Sequence, residues 1–279
     1  MKLLNGKKIS EKILLDLTKK VKKAKKKPFL AVIMIGENEA SEIYVSLKEK
    51  KAKIAGIGFK LYKFNNDASQ GLVIDLIKKL NADSETNGII VQLPLPGKFN
   101  TQKIINTINP EKDVDGFHPE NIKLFLKGKE RFFPVFPQAI MEAIESSKKK
   151  FERKKAVVVA NSKLFGEMML KALERKKIKG EYILKKDVLK NSSKIKKADI
   201  LITAIGSKGI IKGETIKSGA IVIDGGISKK NGKVFGDVDF ESAKKIAGFL
   251  TPVPGGVGPV TVACLLNNVL EAFKNQNKI

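Results

Sequence analysis

Tyr44 and Lys48 stand four residues apart in "SEIYVSLKEKK" (41–51). On a helix that spacing puts a ring and an amine on one face, where both could meet one ligand. Taken alone, the pair reads more simply as a surface tyrosine beside a surface lysine. Gln92, in "VQLPLPG" (91–97), falls at the carboxyl end of an apolar run, just before two prolines stop it. Ligands of open α/β sheets collect beyond the carboxyl ends of strands, so an amide there either caps the strand or faces a ligand. "PEKDVDGFHPEN" (110–121) carries Asp113 and Asp115 in a loop bracketed by Pro110 and Pro119. Asp-Gly is a common turn, and a carboxylate kept for hydrogen bonding to a heterocycle fits as well. No metal site is expected, because His118 is the chain's single histidine and the ligand set is thin. "TPVPGGVGP" (251–259) has three prolines and three glycines in nine residues. Such a loop is stiff and free of bulky side chains, so its backbone can lie against a flat ligand; the alternative is an elaborate turn.

The elements that must position these residues alternate between apolar runs and helical periodicity, the pattern of an α/β protein with parallel sheets. Strands are predicted at 29–36, 59–64 and 88–96, with helices at 9–25, 39–55 and 69–82. Residues 97–136 are richer in Pro, Gly, Asn and Asp and read as loops leading to a domain boundary. A second series follows: a helix over 137–149, strands at 155–161, 198–205 and 219–226, and a last helix over 260–274. Two domains are therefore expected. The first covers 1–136, with residues 257–279 packing back onto it, and the second covers 137–256.

Composition narrows the function class. The 279 residues include 42% hydrophobic and 30% charged, which describes a chain that forms cores and is not disordered. Of the 54 basic residues only Arg131, Arg153 and Arg175 are arginines, against 29 acids and a net charge of +25. Sites built to grip phosphate or carboxylate favour the arginine fork, so a lysine excess reads first as surface decoration. A basic nucleic-acid-binding module is the competing class. It predicts aromatics interleaved with basic residues, whereas aromatics are 6% of this chain and its phenylalanines fall mostly in apolar runs. Cys264 cannot pair internally, there is no signal-peptide pattern, and no run approaches the ~20 apolar residues of a membrane span; a cytoplasmic protein is expected.

Taken in order, "PFLAVIMIGENEASEIYVSLKEKKAKIAGIG" (28–58), "GIIVQLPLP", "INPEKDVDGFHPEN", "GAIVIDGGI", "GDVDF" and "TPVPGGVGPVTVACLLNN" resemble the bifunctional methylenetetrahydrofolate dehydrogenase/cyclohydrolase family over nearly the whole chain. The resemblance implies an N-terminal α/β folate-binding catalytic domain and a C-terminal Rossmann-like doubly wound domain, with the active site in the cleft between them. It implies oxidation of 5,10-methylenetetrahydrofolate with a nicotinamide cofactor, then hydrolysis of the methenyl product to 10-formyltetrahydrofolate. By the same analogy Lys48 is the central catalytic group, Gln92 hydrogen-bonds and tunes it, Tyr44 packs beside the pterin and Asp115 holds the pterin nitrogens. Pro254, Gly255, Gly256 and Pro259 would line the folate and nicotinamide cleft. A homodimer is expected by analogy, as is a substrate that often carries an acidic polyglutamate tail. The chemistry asks much of Lys48, since at an ordinary pKa near 10.4 about one lysine in two thousand is neutral at pH 7. Desolvation and neighbouring cations can lower that value by ~3 units and leave an amine able to take a proton from water; the alternative is a charged Lys48 that polarises the substrate and only later shuttles a proton.

The nucleotide half departs from the family pattern. After the strand at 155–161 the usual Gly-Arg-Ser becomes Ala160, Asn161 and Ser162, followed by Phe165, where valine is usual, and Gly166. Asn161, Ser162, Gly166 and Ile227 are the expected cofactor-binding positions. Asp187, in "KKDVLKN", would repel a 2′-phosphate or accept a ribose hydroxyl. Gly225 replaces a common valine, and Val135 and Phe136 stand where Cys-Thr is usual. NADP, with lysines such as Lys163 replacing the arginine, is the first expectation. An NAD-linked enzyme and a cyclohydrolase without dehydrogenase activity are the alternatives.

Overall fold

The structure is a computed structural model, and residues 1–230 and 232–278 are described. In chain order its elements are β1 (Lys2–Leu3), α1 (Gly6–Lys22), β2 (Phe29–Ile35), α2 (Glu39–Ala55), β3 (Gly58–Phe64), α3 (Gln70–Ala82) and β4 (Gly88–Val91). Next come α4 (Thr101–Thr107), α5 (Pro119–Leu126), α6 (Val135–Glu145), β5 (Lys155–Ala160), α7 (Lys163–Glu174), β6 (Lys179–Leu184) and α8 (Ser192–Lys197). The series ends with β7 (Ile200–Ala204), β8 (Ile221–Asp224), β9 (Ser228–Lys230), β10 (Lys233–Phe235), α9 (Phe240–Ala243), β11 (Phe249–Leu250) and α10 (Val257–Asn277). They form two compact α/β units, one of Glu11–Val135 with Val262–Ile279, the other of Met1–Ser10 with Phe136–Thr261.

The first unit is built on a three-stranded parallel sheet, β3-β2-β4. β2 is apolar throughout and buried from Leu30 to Ile35, as a parallel strand covered on both faces must be. Its Ala31, Ile33 and Ile35 pack with Val73, Ile77 and Leu80 of α3 and Ile104 of α4. β4 ends at Val91, short of the 88–96 strand read from the sequence, because Pro94 and Pro96 have no N–H to offer the ladder. The segment 97–136 is not all loop. Asn100 caps α4 by accepting from the Lys103 N–H, and His118 Nδ1 accepts from the Glu120 N–H to start α5, with Pro119 at its first position.

The second unit carries a six-stranded parallel sheet in the order β1-β11-β8-β7-β5-β6. From β5 the chain winds outward to β6 on one side, then back to β7, β8 and β11 on the other. The order reverses between β5 and β7, which makes this the doubly wound arrangement. Val157 and Val159 of β5, Leu201 of β7 and Val222 of β8 form its core with Ile183, Ile195, Ile211 and Ile216. Three strands of this sheet escaped the sequence reading, β1, β6 and β11, as did the antiparallel pair β9 and β10 outside it. β6 is the sheet's edge strand and opens with the exposed Lys179, Gly180 and Glu181, so only its last residues carry an apolar signal. The domain expectation also differs at both ends. Residues 1–10, read as part of the first domain, join the second unit because β1 pairs with β11, and residues 257–261 join it as well. Residue 279, the last of the range read as the returning helix, lies outside the described residues.

Candidate functional site

Lys48 is on α2, where Ser41, Val45, Ala52 and Ala55 are buried at spacings of three and four. It falls on that stripe between Val45 and Ala52, a place where an apolar residue would normally sit. Asn38 begins the helix by accepting from the Ser41 N–H, and Gly56 ends it in the left-handed conformation at φ 79°, so the stripe's register is set at both ends. The half-buried Lys48 Nζ donates a 2.7 Å hydrogen bond to Gln92 Oε1. The Gln92 N–H still pairs with the Ile33 carbonyl, which extends the β4 ladder by one bond, and Gln92 Nε2 donates to the Leu93 carbonyl at 2.7 Å. With its NH₂ group committed there, the amide turns its acceptor oxygen toward the amine.

Burial pushes the Lys48 amine below its ordinary pKa, and the neighbouring Asp115 carboxylate opposes that shift. Asp115 is pushed up to about 6, first by burial, with Lys48 pulling it down and Asp113 pushing it further up. Tyr44 lies one turn before Lys48, and burial raises its phenol, which therefore stays neutral at physiological pH.

The two aspartates singled out in the sequence divide their work. Asp113 is buried and accepts from the Phe117 and His118 backbone N–H groups at 3.3 and 2.8 Å and from Asn121 Nδ2 at 2.9 Å. It holds the turn together. Asp115 is half-buried, and its carboxylate has no hydrogen-bond partner among the described residues, so its acceptor capacity is free for a ligand. The backbone around it is clamped. The Asp115 carbonyl accepts from the Val135 N–H at 3.2 Å, and Gly116, at φ 82°, turns against Pro134. Asn268 of α10 donates to the Val114 and Phe133 carbonyls, each at 2.9 Å. Asn268 went unnoticed in the sequence; its one visible signal is an amide inside an otherwise apolar helix stripe.

In the second unit, Ser162 caps α7 by accepting from the Phe165 N–H at 3.2 Å. Asn161, Ser162 and Lys163 are exposed at the carboxyl end of β5, beside the reversal of strand order. Gly166 is buried, and a Cβ there would come 2.5 Å from Tyr182 Cγ, so this glycine lets α7 lie against β6. Ile227 is half exposed just after β8. The exposed Lys185 and Lys186 follow β6, with Asp187 next to them. A helix N-terminus, hydroxyl and amide side chains and several lysines make a donor set suited to a dinucleotide carrying an extra phosphate.

Pro254 follows a cis bond, and Gly255 has φ 99° and accepts from the Gly6 N–H at 3.0 Å. Gly256 leaves no room for a side chain on its own part or on Gly6, whose Cβ would strike the Gly256 carbonyl. Pro259 lies in the first turn of α10. Two buried carboxylates that the sequence reading gave no role tie the loops after β7 and β8 together. Asp224 accepts from the Gly226, Asp237 and Val238 N–H groups, and Asp237 accepts from those of Ile205 and Ser207. Burial, with a smaller push from Asp237, raises Asp224 to about 6 against those hydrogen bonds. Among the described residues no helix is long and apolar enough to cross a membrane, and no three His, Cys, Asp or Glu side chains group as metal ligands.

Two family models match the chain. Residues 4–115 match the tetrahydrofolate dehydrogenase/cyclohydrolase catalytic domain, and residues 134–277 match the NAD(P)-binding domain of the same family. The bifunctional protein FolD of Acetivibrio thermocellus is 42% identical, covering 100% of this chain and 99% of its own. The Campylobacter jejuni bifunctional enzyme FolD superposes with a TM-score of 0.91 at 38% identity, covering 99% of both chains. The Trypanosoma brucei methylenetetrahydrofolate dehydrogenase-cyclohydrolase, solved with NADP cofactor and inhibitor, gives 0.92 at 30% identity, covering 99% of this chain and 98% of that one.

Proposed function

Because this chain belongs to the tetrahydrofolate dehydrogenase/cyclohydrolase family, we propose that it oxidises 5,10-methylenetetrahydrofolate to the 5,10-methenyl form with NADP and hydrolyses that product to 10-formyltetrahydrofolate. The observation that carries the reading is the desolvated Lys48 amine, bonded to Gln92 Oε1 and set near Asp115. A neutral amine has two hydrogens and a lone pair. One hydrogen engages Gln92, which leaves the lone pair to take a proton from water as the hydroxyl adds to the methenyl carbon. Asp115 is mostly ionised at neutral pH and accepts hydrogen bonds from pterin N–H groups, while Tyr44 packs beside the ring. The nicotinamide, when bound, supplies the hydride acceptor. In this reading Ser162, Asn161 and the amino end of α7 would hold its diphosphate, Ile227 would offer backbone near the nicotinamide, and Gly166 keeps α7 close to the sheet. Lys163, Lys185 and Lys186 favour the 2′-phosphate of NADP, whereas Asp187 is the residue that would favour NAD.

The same reading makes the protein a homodimeric cytoplasmic enzyme of one-carbon metabolism, serving purine and amino-acid synthesis and drawing polyglutamylated folates to its lysine-rich surface. Sedimentation tests the dimer. Lys48→Met tests the chemistry. It should fold, bind folate and lose hydrolysis of methenyltetrahydrofolate by about 10²–10⁴-fold. Wild-type hydrolysis should rise with pH through the lowered Lys48 pKa and then level off. Substantial hydrolysis by the variant overturns the assignment.

A further inference from the structure

Three positions at which the sequence departs from the family pattern meet in space. The Phe136 and Phe165 rings stack with centroids 5.3 Å apart and planes 28° from parallel. The edge of Phe136 presses on Gly225, where a Cβ would come 2.9 Å from Phe136 Cζ and 3.2 Å from the Thr203 carbonyl. Gly225 is not in a left-handed conformation, so its lack of a side chain is what the ring requires. Phe165 is the residue whose N–H bonds the Ser162 cap, and Gly225 follows β8 and donates to Thr203 of β7. The ring pair therefore reaches from the amino end of α7 to the carboxyl ends of β7 and β8. That is the region where a doubly wound sheet receives a dinucleotide. Both rings are half-buried, so each keeps an exposed part.

We propose that Phe136 and Phe165 form an aromatic shelf that positions the planar nicotinamide end of the cofactor, and that Gly225 is the gap that admits it. The shelf rests on the NADP-linked reading above and adds to it the residues that set the cofactor's place. Stacking aromatic rings contributes beyond area burial, enough for about a three- to tenfold change in affinity per ring.

The test is calorimetric titration of NADP into wild type, Phe136→Leu, Gly225→Val and the double variant Gly225→Val/Phe136→Thr, with thermal unfolding followed in each. Phe136→Leu should weaken NADP binding about three- to tenfold while its melting temperature stays close to that of wild type. Gly225→Val should weaken binding at least as much, because its side chain displaces Phe136. Adding Phe136→Thr should restore the melting temperature of Gly225→Val without restoring wild-type affinity. Equal NADP affinity in wild type, Phe136→Leu and Gly225→Val overturns the shelf. Failure of wild type to bind either NADP or NAD overturns the dehydrogenase reading instead.

Discussion

Replacing Asp115 by asparagine should make the ligand-free protein more stable at neutral pH while destroying its use of folate. The Asp115 carboxyl is pushed from its ordinary 3.8 up to about 6, so the folded chain holds that proton more tightly than the unfolded chain does. Its contribution is fully present below the unfolded value and is lost as pH rises through about 6. The loss amounts to about 3 kcal/mol in total, of which about 1.4 kcal/mol falls between pH 5 and pH 8. Asparagine does not titrate. Paired urea and thermal melts at the two pH values should show wild type losing about 1.4 kcal/mol more than Asp115→Asn, or roughly 3–5 °C in melting temperature. Lys48 lowers the Asp115 pKa, so in a Lys48→Met background the gap should widen. Parallel stability curves for wild type and Asp115→Asn from pH 5 to pH 8 would falsify the claim that this carboxylate is held desolvated for a ligand.

Asn268→Ala strips two buried carbonyls, Val114 and Phe133, of their donor and should cost about 2–4 kcal/mol by denaturant unfolding, with folate binding weakened several-fold. Gly166→Ala drives a methyl into the Tyr182 ring and should cost about 1–3 kcal/mol by thermal unfolding; adding Tyr182→Ala should recover part of that loss. Raising salt from about 0.05 to 0.3 M should raise KM for a polyglutamylated folate more than for the monoglutamate, because exposed lysines act through a screened field.

Much of the first unit is readable because its elements obey simple periods. β2 is an unbroken apolar run, whereas the stripe of α2 that makes Lys48 an anomaly emerges only in the structure, the Tyr44–Lys48 pair by itself reading as a surface pair. Gln92 was readable from its place at a strand's end, and the structure brings its amide to the Lys48 amine. The division of labour between Asp113 and Asp115 was not readable, since both are aspartates in one turn and only three-dimensional hydrogen bonding separates them. α4 and α5 were missed because short helices set by caps leave little periodicity, and a segment rich in asparagine and proline looks like loop. β1 and β11 have two residues each, too few for any pattern. The reason for Gly166 depends on Tyr182 of β6, and that of Gly225 on Phe136 of α6. Such pairings join elements whose contact no local rule foretells.

The sheet margin formed by Lys2 and Leu3 has a consequence for how the chain matures. Their pairing partners, Phe249 and Leu250, lie far along the chain, so this margin of the sheet closes only after the residues between them have been made. Until then Lys2 and Leu3 have no strand to pair with, and an affinity tag fused ahead of them burdens the nucleotide unit rather than the half they adjoin in sequence.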